Sequence, residues 1–439
     1  MFLFPVMLST MTMNKLIYEN LSPEVATLLK QLRQQLMVDA NEVWLVGGTI
    51  RDLLEGQRPK DFDFAFNGDL TPQVRRWAKL HDGHWFWLDK SRNQSRVVFS
   101  FSGLQFDFSP LRAENIDTDL KLRDFTLNAM ALLFNSVDAE NLLDPLNGRQ
   151  DLRDGVLRCC GSSVLRDDPL RVLKGVRHHA LRGWKFEVQT STLIIAAAPQ
   201  LHSVAGERIR NELGQILRAP QLVSAINMMK IFGILDNLFP QIDSQRLRPE
   251  LAAFVERIEQ LRQIDHFARF LDQSIEDGLT RKAILILAVL LRRVGPLSQV
   301  GDIVQRLRLS VRSRSILKDL CGGQASLDVF TDCDNPRISA LKLELFGRNC
   351  LELTLFALAY FKTDSLDLRL SNYFTHYHHQ SEGGRISDLL DGREISSLTG
   401  LPPGERVGDY LQRIKAAEIA GEILDKTMAV VWLKRQFSD

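Results

Sequence analysis

The chain lacks the features that mark secreted, membrane-spanning and fibrous proteins. Five cysteines in 439 residues, an odd number with no regular spacing, argue against a disulfide framework and fit a reducing compartment. No run approaches the ~20 apolar residues of a membrane-spanning helix. An excess of either charge is missing too, since 55 Lys and Arg stand against 54 Asp and Glu for a net charge of +1. A polyanionic partner must therefore be held by local basic patches. No fixed-period repeat or low-complexity segment stands out. What is present, 45% hydrophobic and 25% charged residues, suits a globular chain of two to four domains. The first eight residues are apolar but short, lack a basic flank and are broken by Pro5. Residues 1–20 therefore read as an extension of a cytoplasmic protein, with Met11 and Met13 as alternative starts, rather than as a secretory leader.

The stretch Val43 to Phe66 organises the rest. Val43 to Val46 is a short apolar strand. Gly47 and Gly48 permit backbone geometries and close approaches that a Cβ would obstruct, and Thr49 to Leu54 has helical spacing. Backbone N–H groups at such a helix start, together with Arg51, suit a phosphate. Asp61 and Asp63 then alternate with Phe62, Phe64 and Phe66, which puts both carboxylates on one face of a strand and the rings on the other. Like charges held side by side repel unless a cation sits between them, and hard oxygen ligands suit Mg²⁺. The plain alternative is a half-buried strand with two solvated aspartates. Leu104 to Leu111 repeats the pattern, with Asp107 between Phe106 and Phe108. If the two strands are neighbours, three carboxylates converge, as two-metal phosphoryl or nucleotidyl transfer requires.

These residues carry a resemblance. Gly47-Gly48-Thr49-Ile50-Arg51-Asp52 followed by Asp61-Phe62-Asp63 resembles the head of the class II tRNA nucleotidyltransferase and bacterial poly(A) polymerase superfamily. So do Arg123 to Met130 (R-D-F-T-L-N-A-M), Asp144 to Gly148 (D-P-L-N-G), Asp167 to Arg171 (D-D-P-L-R), Glu207 to Glu212 (E-R-I-R-N-E) and the tail segment Ile386 to Leu411. The resemblance implies an α+β fold: a nucleotidyltransferase head with a small mixed sheet over residues 21–158, a helical base-recognition neck over 159–220, and a helical body and tail over 221–439 that binds tRNA. It implies Mg²⁺-dependent addition of C or A from CTP or ATP to the 3′ end of tRNA. Asp61 and Asp63 would hold the metal ions and Asp107 would complete the catalytic site. Gly47, Gly48 and Arg51 would hold the triphosphate, and Arg123, Asp124 and Asn128 the sugar and phosphates. Two positions depart from the usual pattern: Leu122 replaces the first arginine of R-R-D, and Asp167 replaces a glutamate.

Asp168 and Arg171 are three apart in a segment that reads as a helix, so their side chains are expected on one face. Together they offer an acceptor and a forked donor to one base edge, which matches cytosine and adenine and opposes uracil and guanine. A surface ion pair is the alternative for such spacing; in the resembling family the pair selects CTP and ATP. Only six residues separate Arg112 from Asp119, where full CCA-adding relatives usually carry a longer loop, a hint of partial CCA addition. Arg112 reads either as a support for the phosphate or metal site or as a solvated strand end.

Elsewhere the spacing predicts helices at Pro23–Met37, capped by Ser22, and at Thr71–Leu80, with strands at Trp85–Leu88 and Arg96–Ser102. Arg123 to Phe134 places its polar residues near a helix start. Body helices are expected at Leu222–Leu238, Leu251–Phe270, Thr280–Leu291 and Leu341–Phe361. Arg306, Arg308, Arg312, Arg314 and Lys318 form a basic run that reads as a solvated helix face or as a phosphate-binding surface for the acceptor arm. Cys159, Cys160, His178 and His179 read as packing or surface residues, His81-Asp82 as loop, and His376, His378 and His379 lack the partners of a zinc site. The competing functional readings are a poly(A) polymerase with the same head and an RNA-binding protein with a lapsed site.

Overall fold

The computed structural model describes residues 21–37, 42–135, 142–240, 242, 244–294, 297–322, 349–360, 374, 389–419, 422–423 and 425–438. The N-terminal extension, the histidines at 376, 378 and 379, the first part of the helix expected from Leu341 and the start of the tail motif lie outside them. The chain divides into two compact units, Met1–Leu201 and His202–Asp439.

The first unit is built on a six-stranded sheet in the order β3-β4-β5-β2-β1-β6. Its strands are β1 (Val43–Val46), β2 (Asp61–Phe66), β3 (His84–Asp89), β4 (Gln94–Phe99), β5 (Leu104–Pro110) and β6 (Ala131–Leu133). Only the β2–β5 pair is parallel, so the sheet is mixed. The alternation in β2 and β5 sends Phe62, Phe64, Phe66, Phe106 and Phe108 to one face, where each is at most 2% exposed. Full burial stabilises by about 1.5–3 kcal/mol per such side chain. Rings stack across the parallel pair, Phe62 on Phe106 at 4.9 Å and Phe64 on Phe108 at 5.0 Å. α1 (Pro23–Leu36), α2 (Gly48–Leu54) and α3 (Thr71–Leu80) contribute Leu29, Leu32, Ile50, Leu53, Val74 and Trp77 to that core. Ser22 caps α1 by accepting from the Val25 N–H at 3.5 Å, with Pro23 at the first helical position. On the opposite face α4 (Ile116–Lys121) covers one end, packing Ile116 and Leu120 on Trp44, Val46, Ala65 and Ala131.

The segment after Arg123 is a short 3-10 turn, Thr126–Asn128, leading into β6 rather than a helix. The apolar run Ala129 to Leu132 is buried all round and pairs with β1, which favours a strand. α5 (Gly148–Asp154), α6 (Val164–Asp167), α7 (Arg171–Arg182) and α8 (Val188–Ala197) complete the unit. The D-P-x-x-G motif acts as the cap of α5: the Asp144 carboxylate accepts from the N–H groups of Gly148, at 2.6 Å, and Arg149, at 3.0 Å. A Cβ on Gly148 would stand 2.2 Å from the Thr126 carbonyl oxygen, so the backbone of α5 lies directly on the turn that carries Asn128. Gly148→Ala is expected to lower stability by about 2–3 kcal/mol in urea denaturation, the cost of overpacking a rigid contact.

The second unit is helical. Its described helices are α9 (Gly206–Arg218), α10 (Leu222–Ile231), α11 (Ile234–Leu238), α12 (Ser244–Leu261), α13 (Asp265–Asp272), α14 (Arg281–Leu291), α15 (Leu297–Arg306), α16 (Val311–Cys321), α17 (Cys350–Tyr360), α18 (Gly392–Thr399), α19 (Glu405–Ile419) and α20 (Lys426–Ser438). α14 is the central one, buried from Lys282 to Leu291 and capped by Thr280. Two helices expected to be continuous are each broken: Gly233, at φ 70°, separates α10 from α11, and residues 262–264 separate α12 from α13.

Candidate active site

The register of the sheet decides where the carboxylates meet. Asp63 lies directly opposite Asp107 in the parallel β2–β5 pair, and Asp61 is two residues along on the same face. Burial first, and then the Asp107 charge, push the Asp63 carboxyl up to about 6. Asp61 is raised in the same direction by the same two causes. Asp107 does not share their isolation, because Arg96, its cross-strand neighbour on β4, donates from Nε and Nη2 to its two oxygens at 2.6 and 2.7 Å. Among the described residues no group of three or more His, Cys, Asp or Glu has metal-site spacing. Asp61 and Asp63 fit a hard divalent cation, since its charge relieves the repulsion and burial that raise both. Arg96 escaped the sequence reading, although its alternation with buried Val97 and Phe99 put it on the carboxylate face.

The turn before α2 passes tightly against this pair. Gly47 has φ 70° and ψ −142°, and a Cβ there would stand 3.0 Å from Asp63 Oδ2 and 3.4 Å from Arg123 Nη1. Thr49 ties the turn to β2: its Oγ1 accepts from the Asp63 N–H at 2.9 Å and donates to the Asp61 carbonyl at 3.1 Å. Arg51 is held by Asp52 Oδ1, which takes Nε and Nη2 at 3.0 and 2.8 Å, and donates from Nη1 to Asn128 Oδ1 at 2.7 Å. Asn128 in turn donates to Asp124 at 3.0 Å. Burial acts to raise the Asp124 carboxyl, but Lys174, the Asn128 amide and His178 outweigh it and hold Asp124 well below the usual range.

Arg123 is positioned from below. Asp119, 1% exposed, accepts from Arg123 Nε and Nη2 at 3.0 and 2.8 Å and from the Arg112 N–H at 2.9 Å. The short connection after Arg112 thus closes on itself through α4, whose N-cap Asn115 accepts from Thr118. Asp119→Asn is expected to lower stability by about 2–3 kcal/mol, as loss of a charge-assisted buried pair does. If Arg123 holds phosphate, the same change raises the KM for nucleotide about tenfold, read in a substrate titration of the purified variant.

Asp168 and Arg171 both face the cleft, though not from one helix. Asp168 is extended at φ −142°, between α6 and α7, and Arg171 is the first residue of α7. Pro169 explains the break, because the residue before a proline is driven out of the helical region. Arg171 Nη1 donates to the carbonyls of Leu122 and Val164, each at 3.1 Å. Lys174 and Arg177, at helical spacing from Arg171, line the same cleft and were missed. The cleft, of about 430 Å³, is lined by Gly47, Gly48, Arg51, Asp61, Asp63, Asp107, Arg123, Asp124, Asn128, Asp168 and Arg171, the full set named for it from the sequence. Arg112 lines it as well.

The basic run of the second unit is not one helix face. Leu307 and Leu309 are buried and Arg308 takes φ 50°, so α15 ends at Arg306 and α16 starts at Val311. Arg306 donates to the Asn237 carbonyl at 2.7 Å, Arg308 pairs with Glu207 at 2.6 Å, and Arg312 pairs with Glu352 at 2.9 Å. Arg308, Arg314 and Lys318 are exposed. His178 is buried beside Phe125 and Trp184 but also lines the cleft, whereas His179, whose Nδ1 lies 2.8 Å from the Trp184 carbonyl, packs as expected. Burial pushes the Cys159 thiol up to about 12 and raises Cys160 as well, which fits inert packing thiols.

Residues 43–158 match the poly A polymerase head domain family, and residues 183–246 match a segment described as a probable RNA and SrmB-binding site of polymerase A. The CC-adding tRNA nucleotidyltransferase of Geobacter sulfurreducens is 34% identical over 408 residues, covering 90% of this chain and 91% of its own. The A-adding tRNA nucleotidyltransferase of Deinococcus radiodurans is 28% identical over 425 residues, covering 86% and 92%. In fold, the chain matches the Thermotoga maritima CCA-adding enzyme complexed with tRNA at a TM-score of 0.74 and 22% identity, over 97% of this chain and 98% of that one. No described helix is long and apolar enough to cross a membrane.

Proposed function

The chain belongs to the tRNA nucleotidyltransferase and bacterial poly(A) polymerase family, and from that premise we propose that it adds C or A residues from CTP or ATP to the 3′ end of tRNA. Enzymes of this family use a divalent metal ion, and for this chain the ion is taken as Mg²⁺. The observation that carries the reading is one cleft in which a carboxylate row, a glycine turn with two oriented arginines, and the Asp168–Arg171 pair all face each other.

The terminal 3′-oxygen of the RNA forms a bond to the α-phosphorus, the bond from that phosphorus to the bridging oxygen breaks, pyrophosphate leaves, and the hydroxyl proton passes to water. Held by Asp61 and Asp63, Mg²⁺ supplies a lowered hydroxyl pKa and charge stabilisation at the transferring phosphorus. Arg51 and Arg123 hold the phosphates, each in an orientation fixed by a carboxylate, so little reorganisation accompanies the transfer. Arg123, Asp124 and Asn128 hold the sugar and phosphates, and Asp168 with Arg171 reads the base edge. The exposed Arg314 and Lys318, with Arg308 once it leaves Glu207, are the candidates for phosphate contacts in the helical unit. Addition of C alone is the narrower reading: the relative sharing 34% of its residues is CC-adding, and the connection after Arg112 is short. The test is to supply labelled CTP and ATP, separately and together, to tRNA transcripts ending before CCA, after C, and after CC. Products that stop at CC support the narrower reading, products ending in A or CCA replace it within the same reaction class, and unlimited adenylation replaces tRNA end repair with poly(A) synthesis.

A further inference from the structure

The register places an exposed aromatic ring in line with the catalytic carboxylates. Phe86 on β3 pairs with Arg96 on β4, Arg96 with Asp107 on β5, and Asp107 with Asp63 on β2. Residues directly opposite one another share a face, so this is one continuous row across four strands. Trp85, the neighbour of Phe86, packs against the core beneath the sheet. Phe86 and Leu88 turn the other way and stay 43% and 46% exposed. Neither is among the residues packed into the core beneath the sheet.

In-line transfer puts the attacking hydroxyl and the leaving pyrophosphate on opposite sides of the phosphorus. The phosphate-holding groups, Gly47, Arg51 and Arg123, lie at the β1 and α2 end of the row. The acceptor hydroxyl must then arrive from the other end, over β5, β4 and β3. Neighbouring strands are about 4.8 Å apart, which sets Phe86 about 10 Å beyond Asp107, within reach of the last bases of a strand whose 3′-hydroxyl sits at the carboxylates. Arg96 spends two of its five N–H donors on Asp107, so its other donors are available to a phosphate of that strand.

We propose that Phe86, with Leu88 and Arg96 beside it, forms the subsite for the single-stranded 3′ terminus of the acceptor RNA, with a terminal base stacked on the Phe86 ring. The inference rests on the nucleotidyltransferase reading above. Stacking on an aromatic ring is indifferent to base identity, which suits an end whose last residue changes after each addition.

The test compares wild type, Phe86→Ala and Phe86→Trp in steady-state kinetics with a tRNA transcript ending before CCA and whichever of CTP or ATP the wild type incorporates. Phe86→Ala is expected to raise the KM for tRNA about tenfold, the effect of losing one base–aromatic stack. The KM for nucleotide stays within twofold, and nucleotide binding without RNA is unchanged. Phe86→Trp restores the tRNA KM. An unchanged tRNA KM in Phe86→Ala overturns the subsite while leaving the enzyme reading intact, and so does an equal rise in both KM values. A wild type that incorporates neither nucleotide overturns the enzyme reading, and the subsite falls with it.

Discussion

Replacing Asp63 with asparagine abolishes nucleotide transfer, by about a thousandfold or more, or at least ~4 kcal/mol of barrier, while the folded protein becomes no less stable. The two effects have one cause. Asp63 is held at about 6 by burial and by Asp107, against an ordinary value near 3.9 in the unfolded chain. Between those values the native state binds a proton that the unfolded state does not, so stability falls as pH rises from about 4 to 6. That penalty, about 3 kcal/mol when complete, persists at neutral pH as long as no cation neutralises the pair. Asparagine removes it together with a metal ligand. Thermal melts in a chelating buffer at pH 7 check the stability: Asp63→Asn should melt at or above the wild-type temperature. Adding Mg²⁺ should raise the wild-type melting temperature and leave the variant unmoved. A variant that melts well below wild type would mean that Asp63 supports the fold rather than the chemistry.

Arg171→Ala is expected to keep the fold and lose nucleotide choice. A bidentate contact to a base edge is worth about 1–3 kcal/mol of discrimination, so the preference for CTP and ATP over UTP and GTP should fall by about ten- to a hundredfold. Stability should fall by about 1–3 kcal/mol, because the carbonyls of Leu122 and Val164 lose their donor. Competition assays with four labelled nucleotides measure the selection directly. Selection equal to wild type would confine Arg171 to its backbone contacts.

The carboxylates and the glycine turn were legible in the sequence because their signals are local. Alternation of Asp61 and Asp63 with phenylalanines fixes a face without knowledge of any partner strand, and Asp107 in the same pattern makes a neighbouring strand the economical solution. Arg96 and Phe86 were not read as parts of the site, since their place beside Asp107 depends on two further strand registers. Asp119 reads as the end of a loop until α4 turns it inward beneath Arg123. The spacing of Asp168 with Arg171 predicts one helix, but Pro169 drives the residue before it out of the helical region. The basic run from Arg306 failed as one helix face for a similar reason: Leu307 and Leu309 must be buried, and the chain turns at Arg308 to bury them.

The measurement that bears most directly on the cleft as the site of transfer is extension of a tRNA transcript lacking its CCA end, with labelled CTP and Mg²⁺, by the wild type and by an Asp61→Ala, Asp63→Ala variant in parallel. The wild type should add a defined one or two residues and release one pyrophosphate per residue, and the variant, still folded, should add none. Equal incorporation by the two proteins would place the chemistry outside this cleft and contradict the assignment.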